Sequence, residues 1–397
     1  MITITLASRA TNLTISTLVI LLCILAALVP TSRSLGLAAI DVCLPAYDRA
    51  FVATPGKRAA FVIASLHALS KNDLWVVVSE QEAIDSRLGR SVILHTSDAG
   101  MTWKRQLITE PQPEDARNRR FIEDVGFISS TVGWAAGYTG TILKTTDGGE
   151  SWNGQTSATD AILNKIQFID DNWGWILSEE GGEILHTSDG GRKWITYHFP
   201  ATGKVSSLSF RDKFNGWIVG EKGQVFQTRD SGRTWQPRGT ELAAKVSGWK
   251  LRDVNFPEVR FFNESVGFIA AGINYRSPLY NPNGVIFKTT DGGLTWKPIT
   301  ATENLGLKYA DFVSEEEAWI VVHDYRDERL VHTLDGGKTW TFARATSKVG
   351  TVHFVDPKNG WLIAGLSDYP ITNVLMRTND GGQTWSEVRL PKWTDDK

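Results

Sequence analysis

Seven copies of one nonapeptide constrain this chain more than any other feature. They are HTSDAGMTW (95–103), KTTDGGESW (144–152), HTSDGGRKW (186–194), QTRDSGRTW (227–235), KTTDGGLTW (288–296), HTLDGGKTW (332–340) and RTNDGGQTW (377–385). Their aspartates, Asp98, Asp147, Asp189, Asp230, Asp291, Asp335 and Asp380, are separated by 49, 42, 41, 61, 44 and 45 residues. A second string precedes each copy: SLHALSKNDLW, DVGFISSTVGW, KIQFIDDNWGW, SLSFRDKFNGW, EVRFFNESVGF, YADFVSEEEAW and TVHFVDPKNGW. A period near forty residues restricts the chain to repeat architectures, in which small units bury their apolar faces against their neighbours.

Each unit reads as four short strands. In the unit over roughly 161–200, KIQFI alternates around a Phe168 expected to be buried, WGWILS follows a polar turn, GEILHTS alternates again, and KWITYHF follows the Asp-Gly-Gly turn. Tight hairpins demand positive φ, which glycine supplies, and Asp and Thr bond back to nearby backbone amides. Four antiparallel strands at this period predict a propeller blade, and seven blades close a ring without long open edges. The expectation is an all-β, seven-bladed β-propeller of four-stranded antiparallel blades over residues 60–391.

Tryptophan usage agrees. Of 16 tryptophans, seven end the nonapeptides (Trp103, Trp152, Trp194, Trp235, Trp296, Trp340, Trp385) and six end the second string (Trp75, Trp134, Trp175, Trp217, Trp319, Trp361). Phe268 fills the remaining place, and only Trp173, Trp249 and Trp393 fall outside the pattern. The S/T-x-D-x-G-x-T-W string resembles the Asp-box, or bacterial neuraminidase repeat, of sialidases, some glycoside hydrolases and sorting receptors. Seven evenly spaced units with GW ending the second string are more similar to the photosystem II stability and assembly factor family of cyanobacteria and plastids. The resemblance covers about residues 60–390. It implies a non-catalytic scaffold that binds a protein partner, a membrane-protein assembly intermediate, and assists assembly or stability of a membrane complex.

In such a blade every Asp-box joins strands three and four, so all seven aspartates lie on one rim. Catalytic glycosidase carboxylates converge within about 5–9.5 Å, and seven equivalent turn aspartates do not supply such a pair. They are read as structural, and no catalytic residue is assigned. Length variation is concentrated on the opposite face, in loops 79–91, 272–284, 323–329 and 365–373 and in connections 108–120 and 236–253. These carry the candidate partner-binding residues Arg87, Arg90, Arg117, Arg119, Arg120, Trp249, Tyr275, Arg276, Tyr280, Tyr325, Arg326 and Tyr369. Arginine with tyrosine and tryptophan is the composition of binding hot spots. The assembly factor family carries an arginine-rich surface, and DARNRR (115–120) is its nearest equivalent here by blade order and composition.

Near balance of Lys+Arg (42) and Asp+Glu (44) gives no electrostatic footprint for nucleic acid. The seven histidines never occur at metal-ligand spacing, and His95, His186 and His332 share one repeat position, which marks them as structural. No metal or cofactor is expected. The two cysteines, Cys23 and Cys43, exclude a disulfide framework.

Residues 13–30, LTISTLVILLCILAALVP, are almost wholly apolar and follow a stretch whose only charged side chain is Arg9. They read as a signal peptide or membrane anchor within 1–34, with residues 35–59 a linker or ring-closing strand and 392–397 a tail. Export to a periplasmic, lumenal or cell-surface location follows, with membrane association only through this segment. The alternative is a sialidase-like or other glycan-binding or glycan-cleaving propeller. Sialidases carry an RIP string on the first inner strand, which this chain lacks. Its nearest tyrosine–glutamate pair is Tyr325 with Glu328, and Trp249 is the aromatic platform a lectin would use.

Overall fold

The computed structural model describes residues 59–82, 89–109, 121–239, 242, 253–273, 284–300, 305–323, 328–343, 349–368 and 371–391. They form seven four-stranded antiparallel sheets, each drawn from consecutive strands. The inner strands are Ala59–Ala68, Ile122–Phe127, Leu163–Phe168, Val205–Phe210, Val254–Phe261, Gly306–Phe312 and Val349–Phe354, opening blades 1 to 7. Blade 3 has strands Leu163–Phe168, Gly174–Ser178, Glu183–Thr187 and Ile195–His198, close to those expected from its sequence. Phe168 is half-buried rather than buried, because its ring lies in the joint between blades. The apolar segment 13–30 and both cysteines lie outside the described residues. Among the described residues, no helix is long and apolar enough to cross a membrane.

One register row explains why the two strings travel together. In blade 3, Gln167 pairs with Trp175 and Trp175 with His186; in blade 6, Asp311 pairs with Trp319 and Trp319 with His332. Directly opposed residues share a sheet face, so the residue before the inner phenylalanine, the second-strand indole and the first residue of the nonapeptide all look toward the next blade. The next blade answers with its own inner phenylalanine. Phe127 stacks on Trp75 at 3.8 Å between centroids, Phe168 on Trp134 at 3.5 Å, Phe210 on Trp175 at 3.7 Å and Phe354 on Trp319 at 4.1 Å. The other face of the indole is covered from its own blade, by His95 on Trp75, His332 on Trp319 and the Lys144 ammonium over Trp134. The shared repeat position of His95, His186 and His332 is thus a packing position.

The Asp-box tryptophan braces the stack from the side. Trp152 meets Phe127, Trp194 meets Phe168 and Trp385 meets Phe354 edge to face, near 6 Å. Glycine precedes the second-strand tryptophan for a steric reason. A Cβ on Gly133 would lie 2.5 Å from the Phe127 ring, and one on Gly174 2.3 Å from the Phe168 ring.

Ring closure departs from this scheme. Blade 7 builds its four strands from one continuous stretch, Val349–Phe354, Gly360–Asp368, Ile371–Thr378 and Ser386–Val388. It meets blade 1 through an apolar cluster in which Trp361, Ile363 and Leu375 pack with Ile63, Leu74 and Val76. Of residues 35–59, read as a linker or ring-closing strand, 35–58 lie outside the described residues and Ala59 begins the inner strand of blade 1.

Candidate functional site: the rim, the opposite face and the inner edge

The seven Asp-boxes are one hydrogen-bonded device repeated. In blade 2 the Asp147 carboxylate accepts from Thr145 Oγ1 at 2.8 Å, from Ser151 N at 2.9 Å and from Ser151 Oγ at 2.6 Å. Thr145 Oγ1 in turn accepts from Gly149 N at 2.8 Å. The same bonds recur at Asp98, Asp230, Asp291, Asp335 and Asp380. Asp189 keeps the bonds from Thr187 and from Lys193 N, and lysine in place of Ser or Thr supplies no hydroxyl donor. Hydrogen bonds from Thr102, Ser151, Thr295, Thr339 and Thr384 hold Asp98, Asp147, Asp291, Asp335 and Asp380 down at about 2. A carboxylate satisfied by local donors and ionised to such low pH is poorly suited to proton transfer near neutrality. The geometry therefore gives these aspartates a turn-fastening role.

On the opposite face, Arg90 is the one candidate partner-binding residue among the described residues. It lies in the third strand of blade 1, Gly89–Thr96, opposite Glu80, and is half-buried and already engaged within the protein. Arg87, Arg117, Arg119, Arg120, Trp249, Tyr275, Arg276, Tyr280, Tyr325, Arg326 and Tyr369 lie outside the described residues. Glu328, weighed with Tyr325 as a glycosidase pair, is bound by Lys308 Nζ at 2.6 Å. Between blades 3 and 4, Lys204 of the connection into blade 4 binds Glu179 of blade 3 at 2.7 Å and Glu180 at 3.6 Å. Among the described residues no group of three or more His, Cys, Asp or Glu is placed to hold a metal.

Sequence reading missed the inner edge of the ring. There the residue before the inner phenylalanine, or the one two positions earlier, reaches to the next blade's backbone. Asp124 accepts from Ile166 N at 2.9 Å, Ser209 from Phe261 N at 3.0 Å, and Asp311 from Phe354 N at 2.6 Å. Gln167 accepts from Phe210 N at 2.7 Å and donates to Phe210 O at 2.9 Å. Charged groups accumulate at these positions: Asp124, Lys165, Glu258, Arg260 and Asp311, with His67 and His353. Burial pushes Glu258 up to about 7 against the pull of Lys165, Asp311 up to about 7 against Phe354 N–H and Arg260, and Glu123 up to about 7 with help from Glu179 and Asp124. A signal was available, since this column varies chemically (His67, Gly126, Gln167, Ser209, Arg260, Asp311, His353) inside a string whose other positions repeat.

Comparison with known proteins follows the repeats. Residues 112–202 and 193–274 match the family model of the photosynthesis system II assembly factor YCF48. The photosystem II assembly protein Ycf48 of Thermosynechococcus vestitus is 25% identical over 275 residues, 67% of this chain and 71% of that protein. Among solved structures, YCF48 from Cyanidioschyzon merolae aligns with TM-score 0.50 and 17% identity over 67% of this chain and 84% of that one. The GH74 xyloglucanase of Xanthomonas campestris aligns with TM-score 0.52 and 11% identity over 83% and 69%. At such identities the structural likenesses speak for the propeller alone. The sequence matches, the seven Asp-boxes and the seven blades together make this chain a BNR-repeat β-propeller similar to the photosystem II assembly factors.

Proposed function

We propose that the protein is a non-catalytic scaffold that binds a protein partner, an assembly intermediate of a membrane complex of the photosystem II type, from the non-cytoplasmic side. The observation that carries this reading is the sequence similarity to Ycf48, which runs through most of the propeller rather than one motif. The opposite face is the proposed interface, with Arg117, Arg119 and Arg120 replacing the relatives' arginine-rich surface. The apolar segment 13–30 supports export and a place at the membrane.

Cross-linked pull-down of the full-length protein tests this. A membrane-protein partner should be recovered and then lost from the Arg117→Glu/Arg119→Glu/Arg120→Glu variant while the fold is retained. An unchanged partner set would remove this face as the interface. The second reading is a glycan-cleaving Asp-box propeller with Tyr325 and Glu328 as its tyrosine–glutamate pair. Turnover of fluorogenic glycosides, including a sialoside, that disappears on Tyr325→Phe would favour it over the scaffold.

A further inference from the structure

The Asp-box rim is not uniform around the ring. Each blade is an antiparallel meander, so the turns joining strands one to two and three to four share this face. On blades 3 and 4 those turns carry Arg192, Lys193, Lys213, Arg229 and Arg233, all exposed. Carboxylates there sit at the turn bases, Asp170 bound by Asn172 N and Trp173 N and Asp212 by Phe214 N and Asn215 N. The outer layer of this sector is therefore cationic, with Asp171 as its exposed acid. An aromatic tip stands within it. Phe214 is 57% exposed and meets Trp173 across the joint between blades 3 and 4 at 6.5 Å, while Lys213 Nζ lies 5.2 Å from the same indole. Trp173 is one of the three tryptophans that fall outside the repeat pattern.

Blades 5 and 6 reverse the charge. Their turns expose Glu264, Asp291, Glu315 and Glu316 against Lys338, together with the apolar Leu294 and Leu334. An apolar crevice at the joint between these blades is bordered on the rim side by Ser314, Glu315, Glu316 and Gly336.

We propose that two copies of this chain associate Asp-box face to Asp-box face about a two-fold axis, the basic sector of each covering the acidic sector of the other.

A two-fold axis lying in the plane of the rim, along the joint between blades 4 and 5, turns one face over onto its copy. Blade 4 then lies over the copy's blade 5 and blade 3 over its blade 6, and the reverse contacts follow by symmetry. A single surface that carries both halves of a complementary pair, set equally on either side of one radial line, meets the condition of an isologous interface. Under this operation the joint between blades 3 and 4 falls on the joint between blades 5 and 6. The exposed Phe214 of one copy is thereby brought to the crevice of the other. An aromatic side chain over an apolar depression, surrounded by opposite charges, has the make-up of a binding hot spot.

In a ring of seven the same axis leaves through blade 1, which lies across from the joint between blades 4 and 5. Blade 1 therefore meets its own copy, where any charge would face itself. Its turns expose two apolar side chains, Met101 at 80% and Leu69. Both opposite faces point outward in this dimer, so self-association leaves the proposed partner interface free.

Sedimentation velocity of the full-length protein in an uncharged detergent tests the dimer. At ~50 μM protein and ~50 mM salt it should form, and at ~0.5 M salt it should dissociate, because salt screens exposed charge pairs. Arg192→Glu/Arg229→Glu/Arg233→Glu turns the basic sector acidic, and Glu264→Lys/Glu315→Lys/Glu316→Lys turns the acidic sector basic. All six side chains are exposed, so the fold should be retained. Either variant alone should self-associate ~100-fold more weakly. Mixed one to one, they restore both sets of contacts and should dimerise with each other. A natural chain that is monomeric at low salt, a variant that still dimerises alone, or a mixture that stays monomeric would overturn the proposal. Association through the apolar segment 13–30 would survive both charge reversals and high salt, and so counts against it. Should a variant not fold, the natural chain decides: a dimer confined to low salt supports the interface, and a monomer or a salt-insensitive dimer overturns it.

Discussion

The joint between blades 6 and 7 and the joint between blades 7 and 1 are built from the same repeat and hold together differently. At the first, Trp319 lies between His332 at 3.8 Å and Phe354 at 4.1 Å, nearly parallel to both. At the second, Trp361 has Arg377 at 5.7 Å and meets aliphatic side chains, because the place of the inner phenylalanine is taken by Ala68. Six residues after each inner phenylalanine stands a glycine or alanine, as in Phe354 and Gly360 or Phe312 and Ala318, whereas Ala68 is followed at that distance by Leu74, wholly buried. The two sites exchange volume: where the ring is absent, the leucine fills the room a glycine would leave. Closure is thus a coherent alternative packing of the repeat rather than a decayed copy of it.

The largest test removes the aromatic joint. Trp319→Ala takes away a fully buried indole stacked on both sides, and should lower the unfolding free energy by about 3–5 kcal/mol in urea titrations. An effect below ~1 kcal/mol would mean that the stack is geometry without energetic weight.

The volume exchange at the closing joint is tested by a double-mutant cycle. Ala68→Phe alone should overpack against Leu74 and destabilise by about 1–3 kcal/mol. Leu74→Gly alone should leave a void and lose roughly 2–5 kcal/mol. Combined, they rebuild the arrangement of the other blades on Trp361, so coupling of about 1–3 kcal/mol in the favourable direction is expected. Additive losses would refute the exchange.

The joint between blades 5 and 6 stands between these two. Phe268 replaces the indole and stacks on Phe312 at 5.2 Å, looser than the tightest tryptophan joints, and Ala318 occupies the glycine position. A crevice lined by Phe268, Ile286, Phe312, Ala318 and Trp340 opens at the same place. Phe268→Trp should fill it and raise stability by roughly 0.5–2 kcal/mol, read as a higher denaturation midpoint. Destabilisation would show that this joint has no room for the larger ring.

How much of this was legible depended on whether repeats agree. The nonapeptides and the second string disclosed blade number and strand order, because their spacing is fixed by backbone turns. Phe168 is expected to be buried, yet it is half-buried with its ring stacked between blades, a distinction that strand alternation alone does not make. The inner-edge column escaped notice because Gln167, Ser209 and Asp311 look unrelated as sequence and become equivalent only when each is seen reaching to the next backbone. All twelve candidate partner-binding residues come from stretches that differ between units, where no repeat exists to argue from, and eleven of them lie outside the described residues.

The smallest effect lies on the rim, where blade 1 departs from the pattern again. The first residue after each Asp-box aspartate has φ between 63° and 73°, and the chain itself places Ala99 and Ser231 there. The second is glycine in every copy, with φ between 74° and 92°. A single L-residue visits the left-handed helical region at a cost of roughly 1 kcal/mol, while larger positive φ is more nearly reserved for glycine. Gly381→Ala, which moves blade 1's turn into blade 7 and brings its Cβ no closer than 3.0 Å to the Pro357 carbonyl, should therefore lose only about 1 kcal/mol, and Gly382→Ala, whose Cβ would meet the Trp319 ring at 2.6 Å, distinctly more, in paired thermal denaturation. Equal losses would mean that Ala99 is tolerated through compensation specific to blade 1. A larger loss at Gly382 would instead place blade 1's costly departure at the closing joint and leave its rim equivalent to the other six.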